Sequence, residues 1–201
     1  MGINDSLGGD PSGNTFNPEA FTLYKAWANS GSHYRQSVSR GEALFNTFPI
    51  PINGVGGLND DLDQQVIMGT CSTCHDTPNA GNHSFSVPLA IGTTASPAEP
   101  ALDIAGLPVY TVQCIATGTT VQVTDLGRAL ISGKCADLGK VKGPLLRGLA
   151  ARAPYFHNGS AATLGGVVDF YDQRFNLSLT EQQKADLVAF LQTCEALGNK
   201  G

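Results

Sequence analysis

One five-residue motif constrains this chain more than any other feature of its sequence. The residues Cys71-Ser72-Thr73-Cys74-His75 have the C-x-x-C-H order, which is the attachment signature of a c-type haem. On a short helical turn, the two thiols reach the two vinyl groups on one porphyrin edge, and the adjacent imidazole reaches the iron. We therefore predict one covalent haem c, bound through Cys71 and Cys74, with His75 as the proximal ligand.

Two other kinds of site begin with C-x-x-C, and both fit this chain less well. A zinc ribbon needs a second cysteine or histidine pair at short spacing, whereas Cys114, Cys135 and Cys194 are widely separated. A thioredoxin-like dithiol sits at the end of a strand in a βαβ unit, and no such unit precedes Cys71. Haem attachment is the favoured interpretation.

The predicted haem also sets the expected compartment. Attachment takes place outside the cytoplasm, so we expect a periplasmic or otherwise extracytoplasmic protein. The first residues, MGINDSLGGDPSGN, have no signal-peptide pattern, which suggests a mature or recombinant form. In an oxidising compartment, Cys114 and Cys135 bracket a turn-rich loop and are expected to form a disulfide. Cys194 lies on the apolar stripe of the last predicted helix, so we expect a buried, inert thiol.

The charge of the chain bears on its partners. The formal net charge is −5, and no run of lysine and arginine occurs. Nucleic acid and anionic membrane surfaces are therefore not expected as partners. No apolar stretch approaches the roughly 20 residues that span a bilayer.

Abundant glycine and few charges predict a loop-rich chain, with 24 glycines and 14% charged residues. Residues 1–36 are expected to form an N-terminal arm with one helix, and residues 37–201 a single domain. We predict helices from Pro18 to about Ser30, at Ser37–Asn46 and at the cysteine motif. Two more helices are predicted at Ala162–Phe175, with Thr163 as its cap, and at Leu179–Leu197, which begins with a capping box at Thr180. A hairpin is expected to pair Val109–Ile115 with Thr119–Val123. Residues 47–68 contain two prolines and several glycines, and are predicted to be a loop.

The second axial ligand of the iron is less clear from the residues alone. Methionine is the common second ligand of electron-transfer haems, but this chain has only Met1 and Met68. Met68 precedes Cys71 by three residues, on the proximal side of the attachment turn, and is poorly placed to cross the porphyrin. The candidates that remain are Tyr171, an open or water-bound iron, or one of the histidines His33, His83 and His157.

The C-terminal motifs resemble a known family. They are Gly143-Pro144-Leu145-Leu146-Arg147-Gly148-Leu149, Ala153-Pro154-Tyr155-Phe156-His157-Asn158-Gly159-Ser160, and Val167-Val168-Asp169-Phe170-Tyr171. With the closing helix around Ala185–Leu191, they resemble the C-terminal haem domain of the bacterial di-haem cytochrome c peroxidase and MauG family. The resemblance runs from about Ser39 to Leu197. The full enzymes have two C-x-x-C-H motifs and react with hydrogen peroxide at the N-terminal haem, whereas this chain has one motif.

The resemblance implies roles for several residues. MauG-like members use a tyrosine as second ligand, at a position that corresponds to Tyr171. Pro154, Tyr155 and His157 belong to the motif next to the haem, and His157 is expected to tie down the following turn by hydrogen bonds, near a propionate. Arg147 is the candidate to pair with a propionate, because a guanidinium binds a carboxylate in a bidentate manner. A solvated surface arginine is the alternative.

The expected fold is mostly α, a cytochrome c-like haem domain with long loops and one small β-hairpin. The helix at 37–46 should cross the final helix, with Gly41 allowing a close approach and Phe45 meeting Phe190. The expected function is electron transfer through one haem, with a redox partner protein or a second haem domain. The alternative is a mono-haem peroxidase or oxidase whose iron is open to substrate, so the sequence leaves enzymatic activity undecided.

Overall fold

The computed structural model describes residues 22–75, 88–95 and 102–194, and this part of the chain is helix-rich. The elements, in chain order, are α1 (His33–Thr47), β1 (Ile50–Asn53), β2 (Val66–Gly69), α2 (Cys71–Cys74), β3 (Tyr110–Gln113), β4 (Thr120–Val123), α3 (Ala129–Ser132), α4 (Leu164–Phe175) and α5 (Glu181–Thr193). Strands β1 and β2 form one antiparallel hairpin, and β3 and β4 form another. The predicted fold class, mostly α with long loops, is confirmed, with two hairpins instead of one.

The crossing of α1 and α5 organises the main core. A Cβ atom on Gly41 would lie 2.0 Å from the Asp186 carbonyl oxygen and 2.7 Å from the Phe190 Cβ, so only glycine permits this approach. One turn further, the rings of Phe45 and Phe190 are 5.2 Å apart, and both side chains are buried. The predicted crossing is confirmed. Each of these phenylalanines contributes about 1.5 to 3 kcal/mol by burial.

An ion pair between the buried Asp186 and the half-exposed Arg40 holds the same crossing in register. The Asp186 carboxylate on α5 accepts hydrogen bonds from Arg40 Nε and Nη2, both at 2.8 Å, and from Ser37 Oγ at 2.6 Å. Burial by itself raises the pKa of Asp186, but the hydrogen bonds from Arg40, Ser37 and Gln182 outweigh it and lower the pKa. The carboxylate therefore stays charged and joins the two helices.

The N-terminal segment does not continue the predicted helix. The stretch before residue 22 lies outside the described residues, and from residue 22 to residue 30 only a 3-10 turn, Lys25–Trp27, is present. The buried Glu42 carboxylate on α1 accepts the Tyr24 backbone N–H at 3.0 and 3.1 Å, and the Tyr24 hydroxyl donates to the Thr193 carbonyl at 2.6 Å. The predicted helix is wrong over residues 22–30, because the Tyr24 backbone N–H and hydroxyl bind groups on α1 and at the end of α5. The domain division at residue 36 stays a prediction.

The segment from residue 47 to residue 68 is a hairpin and not the predicted loop. Ile50 and Ile52 alternate with half-buried residues along β1 and are themselves buried. Pro51 is tolerated because the sheet has two strands and both are edges. The long connection is held by Asn59, whose Nδ2 donates to the Ile52 and Gln64 carbonyls at 3.1 and 2.9 Å. The prolines and glycines concealed this alternation from sequence analysis.

The remaining elements follow the sequence closely. The hairpin predicted near residues 109–123 is present, with Tyr110 opposite Val123. Thr163 caps α4 and Thr180 forms a capping box with Gln183 at the start of α5, both as predicted. The predicted end of the last helix, Leu197, lies outside the described residues. No helix in the described part of the chain is long and apolar enough to cross a membrane.

The three cysteines outside the motif also lie where the sequence placed them. Cys114 and Cys135 form a disulfide that joins the end of β3 to the chain after α3. Cys194, at the end of α5, is buried. Burial raises the pKa of its thiol to about 12, with a smaller contribution from Glu42, so the thiol is unreactive at neutral pH.

Replacing Gly41 tests the α1/α5 crossing. Gly41→Ala should destabilise the protein by about 3 kcal/mol, because the new methyl group overlaps backbone atoms that cannot move aside. Chemical denaturation followed by far-UV circular dichroism measures this change. Gly165→Ala in α4 is the matched control, since its nearest neighbour would be Thr163 Oγ1 at 3.5 Å. It should leave stability unchanged or raise it, and equal losses in both variants would contradict the packing argument.

The disulfide is testable on the exported protein. Digestion without reductant followed by mass spectrometry should find the peptides of Cys114 and Cys135 linked, because the two residues meet in an oxidising compartment. The same digest after reduction should contain the two separate peptides. Detection of both thiols in the unreduced native protein would contradict this pairing.

Candidate functional site

The attachment motif is held in one helical turn by its own local hydrogen bonds. Thr70 opens α2 in a capping box with Thr73, whose hydroxyl accepts the Thr70 N–H at 2.9 Å. The turn closes with a hydrogen bond of 3.0 Å from the His75 N–H to the Cys71 carbonyl. Because Cys71 and Cys74 are three residues apart, they lie on the same side of the turn. Neither is in a disulfide.

His75 ends the turn and is partly buried. Its ring lies 6.3 Å from the Phe45 ring, centroid to centroid. Burial lowers the pKa of His75 to about 4, and the Pro144 carbonyl, which approaches the ring, partly opposes this shift. The buried Nδ1 makes no hydrogen bond within normal geometry. The imidazole is thus neutral at neutral pH, which is the form that binds a metal ion.

Tyr171 lies near the two thiols. It projects from α4 into the same apolar cluster that Cys71 and Cys74 contact, a cluster whose buried members are Ile50, Ile52, Val55, Leu58, Leu89 and Phe175. The Tyr171 ring packs edge-on against Phe170 at 5.4 Å and stacks on Phe175 at 6.2 Å. Burial raises the pKa of Tyr171, and proximity to the Cys74 and Cys71 thiols raises it further. The phenol is therefore neutral in the protein alone.

These residues fit the predicted haem. Burial also raises the pKa of the Cys71 thiol to about 12. The structure brings the Cys71 and Cys74 thiols and the partly buried Tyr171 phenol to one apolar cluster, and the neutral His75 imidazole follows directly in the chain. A metal-bound histidine normally donates its second ring N–H to a carbonyl. The backbone carbonyl of Pro144 lies near the His75 ring and can take this role. Thioether attachment and axial ligation need this set of groups, whereas a dithiol redox pair needs neither the histidine nor the tyrosine.

Other candidates for the second ligand lie elsewhere. His33 is exposed at the start of α1. His83 is outside the described residues. The Met68 side chain is 66% exposed on β2. Ligation by Tyr171 stays a prediction.

The motif around Pro154 forms a compact loop. The Ala153–Pro154 peptide bond is cis, and Tyr155 pairs with Ala161 through two backbone hydrogen bonds of 2.7 and 3.3 Å. The buried Tyr155 hydroxyl donates to the Leu149 carbonyl at 3.0 Å. Within the described residues, Pro154 and Tyr155 therefore act in shaping the loop, and their contact with a haem stays a prediction.

His157 ties this loop to a neighbouring segment. Its Nδ1 makes a short hydrogen bond with Asp125 Oδ2, and 62% of its side chain is exposed. The His157 hydrogen bond therefore goes to a distant segment, and its expected role in the following turn, near a propionate, stays a prediction. The Arg147 side chain is exposed at the surface and forms no ion pair among the described residues, so its role is equally untested.

Sequence analysis missed the residue that anchors the loop most strongly. Asn158 Nδ2 donates to the Thr93 carbonyl at 2.7 Å and to Thr124 Oγ1 at 3.0 Å, and its Oδ1 accepts the Ser160 N–H at 3.1 Å. The Asn-Gly pair signals a turn, but no local signal reveals that the amide binds two distant segments.

Sequence comparison identifies relatives of this chain. The cytochrome-c peroxidase IdrP2 of Denitromonas iodatirespirans is 46% identical over 76 residues, which cover 34% of this chain and 21% of that protein. The cytochrome-c peroxidase IdrP2 of Pseudomonas sp. strain SCT is 32% identical over 139 residues, which cover 61% of this chain and 35% of that protein. The cytochrome c551 peroxidase of Nitrosomonas europaea is 37% identical over 68 residues, which cover 33% of this chain and 20% of that protein. The chain thus spans between a fifth and about a third of the length of these relatives.

No protein-family model matches the chain. Among solved structures, a MauG-like protein associated with microbial copper homeostasis aligns with 87% of this chain and 48% of its own, at 23% sequence identity and a TM-score of 0.49. The sequence identity with the cytochrome c peroxidases confirms that this chain resembles the bacterial di-haem cytochrome c peroxidase and MauG family.

Proposed function

We propose that this chain is a c-type cytochrome domain that transfers electrons through one covalently bound haem. Cys71 and Cys74 form the thioethers, His75 is the proximal ligand and Tyr171 is the second ligand. The observation that carries the proposal is the grouping of the Cys71 and Cys74 thiols and the partly buried Tyr171 phenol against one apolar cluster, with the neutral His75 imidazole directly after Cys74 in the chain. The cytochrome c peroxidase relatives support haem c as the cofactor.

The haem iron, when bound, supplies reversible one-electron exchange. The chain's own residues hold and orient the ligands and exclude water from them. Phe45 packs on the His75 ring and is itself fixed by Phe190 on α5, so the imidazole is supported by the main helix crossing. Phe170 and Phe175 pack on the Tyr171 ring from two sides. Packing of this kind limits reorganisation of the surroundings when the iron changes charge.

If Tyr171 is the second ligand, it determines the reduction potential expected of the haem. A phenolate is a hard, anionic ligand that favours ferric iron, so the potential should lie well below that of a histidine/methionine cytochrome. The exposure of Met68 supports this reading, because a ligand must turn its sulfur inward. Arg147 and His157 remain the candidates to bind propionates, since both side chains are exposed.

The partner and location follow from the same proposal. The electron must come from or go to a redox partner protein or a second haem domain. We infer an extracytoplasmic, periplasmic location, which the Cys114–Cys135 disulfide supports because such bonds persist in oxidising compartments.

A second candidate is a mono-haem peroxidase or oxidase. The observation that favours it is that the relatives are themselves cytochrome-c peroxidases. In this case the iron has one protein ligand and an open position for peroxide or oxygen. The number of protein ligands on the iron distinguishes the two candidate functions, because two protein ligands close the iron to substrate and one leaves a position open.

Removing the attachment thiols tests the haem directly. Cys71→Ala with Cys74→Ala should abolish covalent haem, because each thioether needs its own sulfur. Denaturing electrophoresis with haem staining is the measurement, and Cys194→Ala is the control that should keep its stain. Haem that stayed with the double variant under denaturing conditions would refute the attachment site.

Removing the phenol oxygen tests the second ligand. Tyr171→Phe should shift the ferric absorption spectrum towards high spin and allow cyanide or peroxide to bind where the parent protein resists, because the iron loses a ligand. Tyr24→Phe, which loses only a hydrogen bond to Thr193, should leave the spectrum unchanged. If the parent is already high-spin and binds cyanide readily, or if Tyr171→Phe has no spectral effect, the peroxidase candidate replaces electron transfer.

A further inference from the structure

An open cleft lies beside the β3–β4 hairpin, and none of its lining residues belongs to the two buried apolar clusters of the protein. One wall comes from the chain that enters β3 and includes Leu107 and Tyr110. The other comes from the chain around the start of α3 and includes Leu126 and Leu130. The volume of the cleft is about 240 Å³. A cavity of about 150 Å³ holds one benzene molecule, so this cleft has room for a six-membered ring with a short side chain.

The walls of the cleft are fixed in place. Cys114 directly follows β3, Cys135 comes shortly after α3, and a disulfide joins these two residues. The lining also includes Thr124, which is buried, and Asn158. Asn158 Nδ2 donates to Thr124 Oγ1 at 3.0 Å and to the Thr93 carbonyl at 2.7 Å. A site that is ordered before it binds a ligand loses little conformational entropy on binding.

The charge of the cleft is negative. Among the described residues, Asp125 is the one charged side chain in the lining, and no lysine or arginine lines it. Asp125 Oδ1 accepts the Gly127 N–H at 2.8 Å, and Oδ2 shares a hydrogen bond with His157 Nδ1. A carboxylate has about four acceptor positions, so Asp125 can accept a further hydrogen bond from a ligand.

His157 does not cancel this charge for a ligand in the cleft. The His157 side chain is 62% exposed, whereas that of Asp125 is 11% exposed. Solvent and salt screen an exposed charge much more than a partly buried one. The cleft therefore favours a positively charged ligand over a neutral or negatively charged one of the same size.

Tyr110 adds an aromatic ring to the same cleft. It is 44% exposed, so a ligand can reach the ring from solvent. An ammonium group within about 6 Å of an aromatic ring is attracted to the face of that ring. Binding sites for small molecules typically combine apolar walls with a few polar groups that fix the orientation of the ligand. A carboxylate, an aromatic ring and leucine side chains are together suited to a cation with an apolar body.

We propose that this cleft binds a small organic ammonium compound with an apolar body, such as an arylalkylamine. The ammonium group donates a hydrogen bond to Asp125 and lies near Tyr110, while the apolar body packs against Leu107, Leu126 and Leu130. This binding site goes beyond the proposed electron transfer, and it does not depend on the haem assignment.

Three probes of similar size test the role of charge, by isothermal titration calorimetry of the purified protein at neutral pH. Phenethylamine is positively charged, phenethyl alcohol is neutral and phenylacetate is negatively charged. Phenethylamine should bind at least about tenfold more tightly than phenethyl alcohol, because hydrogen bonds to charged groups are the stronger ones. Phenylacetate should not bind. The visible absorption spectrum should stay unchanged during the phenethylamine titration, because the amine does not reach the iron.

Substitutions test the place of binding. Asp125→Asn should weaken phenethylamine binding at least about tenfold and leave phenethyl alcohol binding unchanged. Asp61→Asn, which removes the same charge from an exposed side chain outside the cleft, is the matched control and should keep the parent affinity. Leu130→Lys places a positive charge at the cleft and should abolish phenethylamine binding. Leu130 is 71% exposed, so this variant should fold, and thermal melts of all three variants check folding.

Four results would overturn the proposal. One is the absence of phenethylamine binding up to about 20 mM. Another is equal affinity for phenethylamine and phenethyl alcohol. The third is the parent affinity for phenethylamine in folded Asp125→Asn or Leu130→Lys. The fourth is a change in the absorption spectrum with the same midpoint as the heat signal, which would assign the binding to the iron.

Discussion

The contact between Gly41 and the backbone of Asp186 governs the arrangement of the other elements. It allows α1 and α5 to approach more closely than any side chain would permit. Phe45 then reaches Phe190 on one side and the His75 ring on the other. The position of the His75 imidazole therefore depends on a helix crossing formed by residues far from it in sequence. The ion pair of Arg40 with Asp186 maintains the same crossing by charge.

The candidate site combines the cysteine turn, whose shape is determined by local hydrogen bonds, with Tyr171, whose position is determined by tertiary packing. The turn that carries Cys71 and Cys74 is closed by hydrogen bonds within five residues. Tyr171 comes from α4, about a hundred residues later, and reaches the thiols because α4 packs on the β1–β2 hairpin. Burial keeps His75 neutral and Tyr171 protonated. The apolar surroundings thus set the protonation states that a haem would meet.

Some of the fold was predictable because its signals are local. Thr163 and Thr180 stand immediately before apolar helical repeats, and capping is decided within one turn. The β1–β2 hairpin was missed because its prolines and glycines are loop signals, whereas the alternation of Ile50 and Ile52 spans only four residues. The N-terminal helix was wrongly predicted because the backbone near Tyr24 binds Glu42, a residue 18 positions later.

The sequence by itself determined the attachment motif, the helix caps, the disulfide partners and the family resemblance, because each depends on residue types at short or recognisable spacing. Tertiary structure decided where Tyr171 lies, why His75 is neutral, and how Asn158 anchors its loop. Those properties depend on burial and on contacts between segments separated by tens of residues.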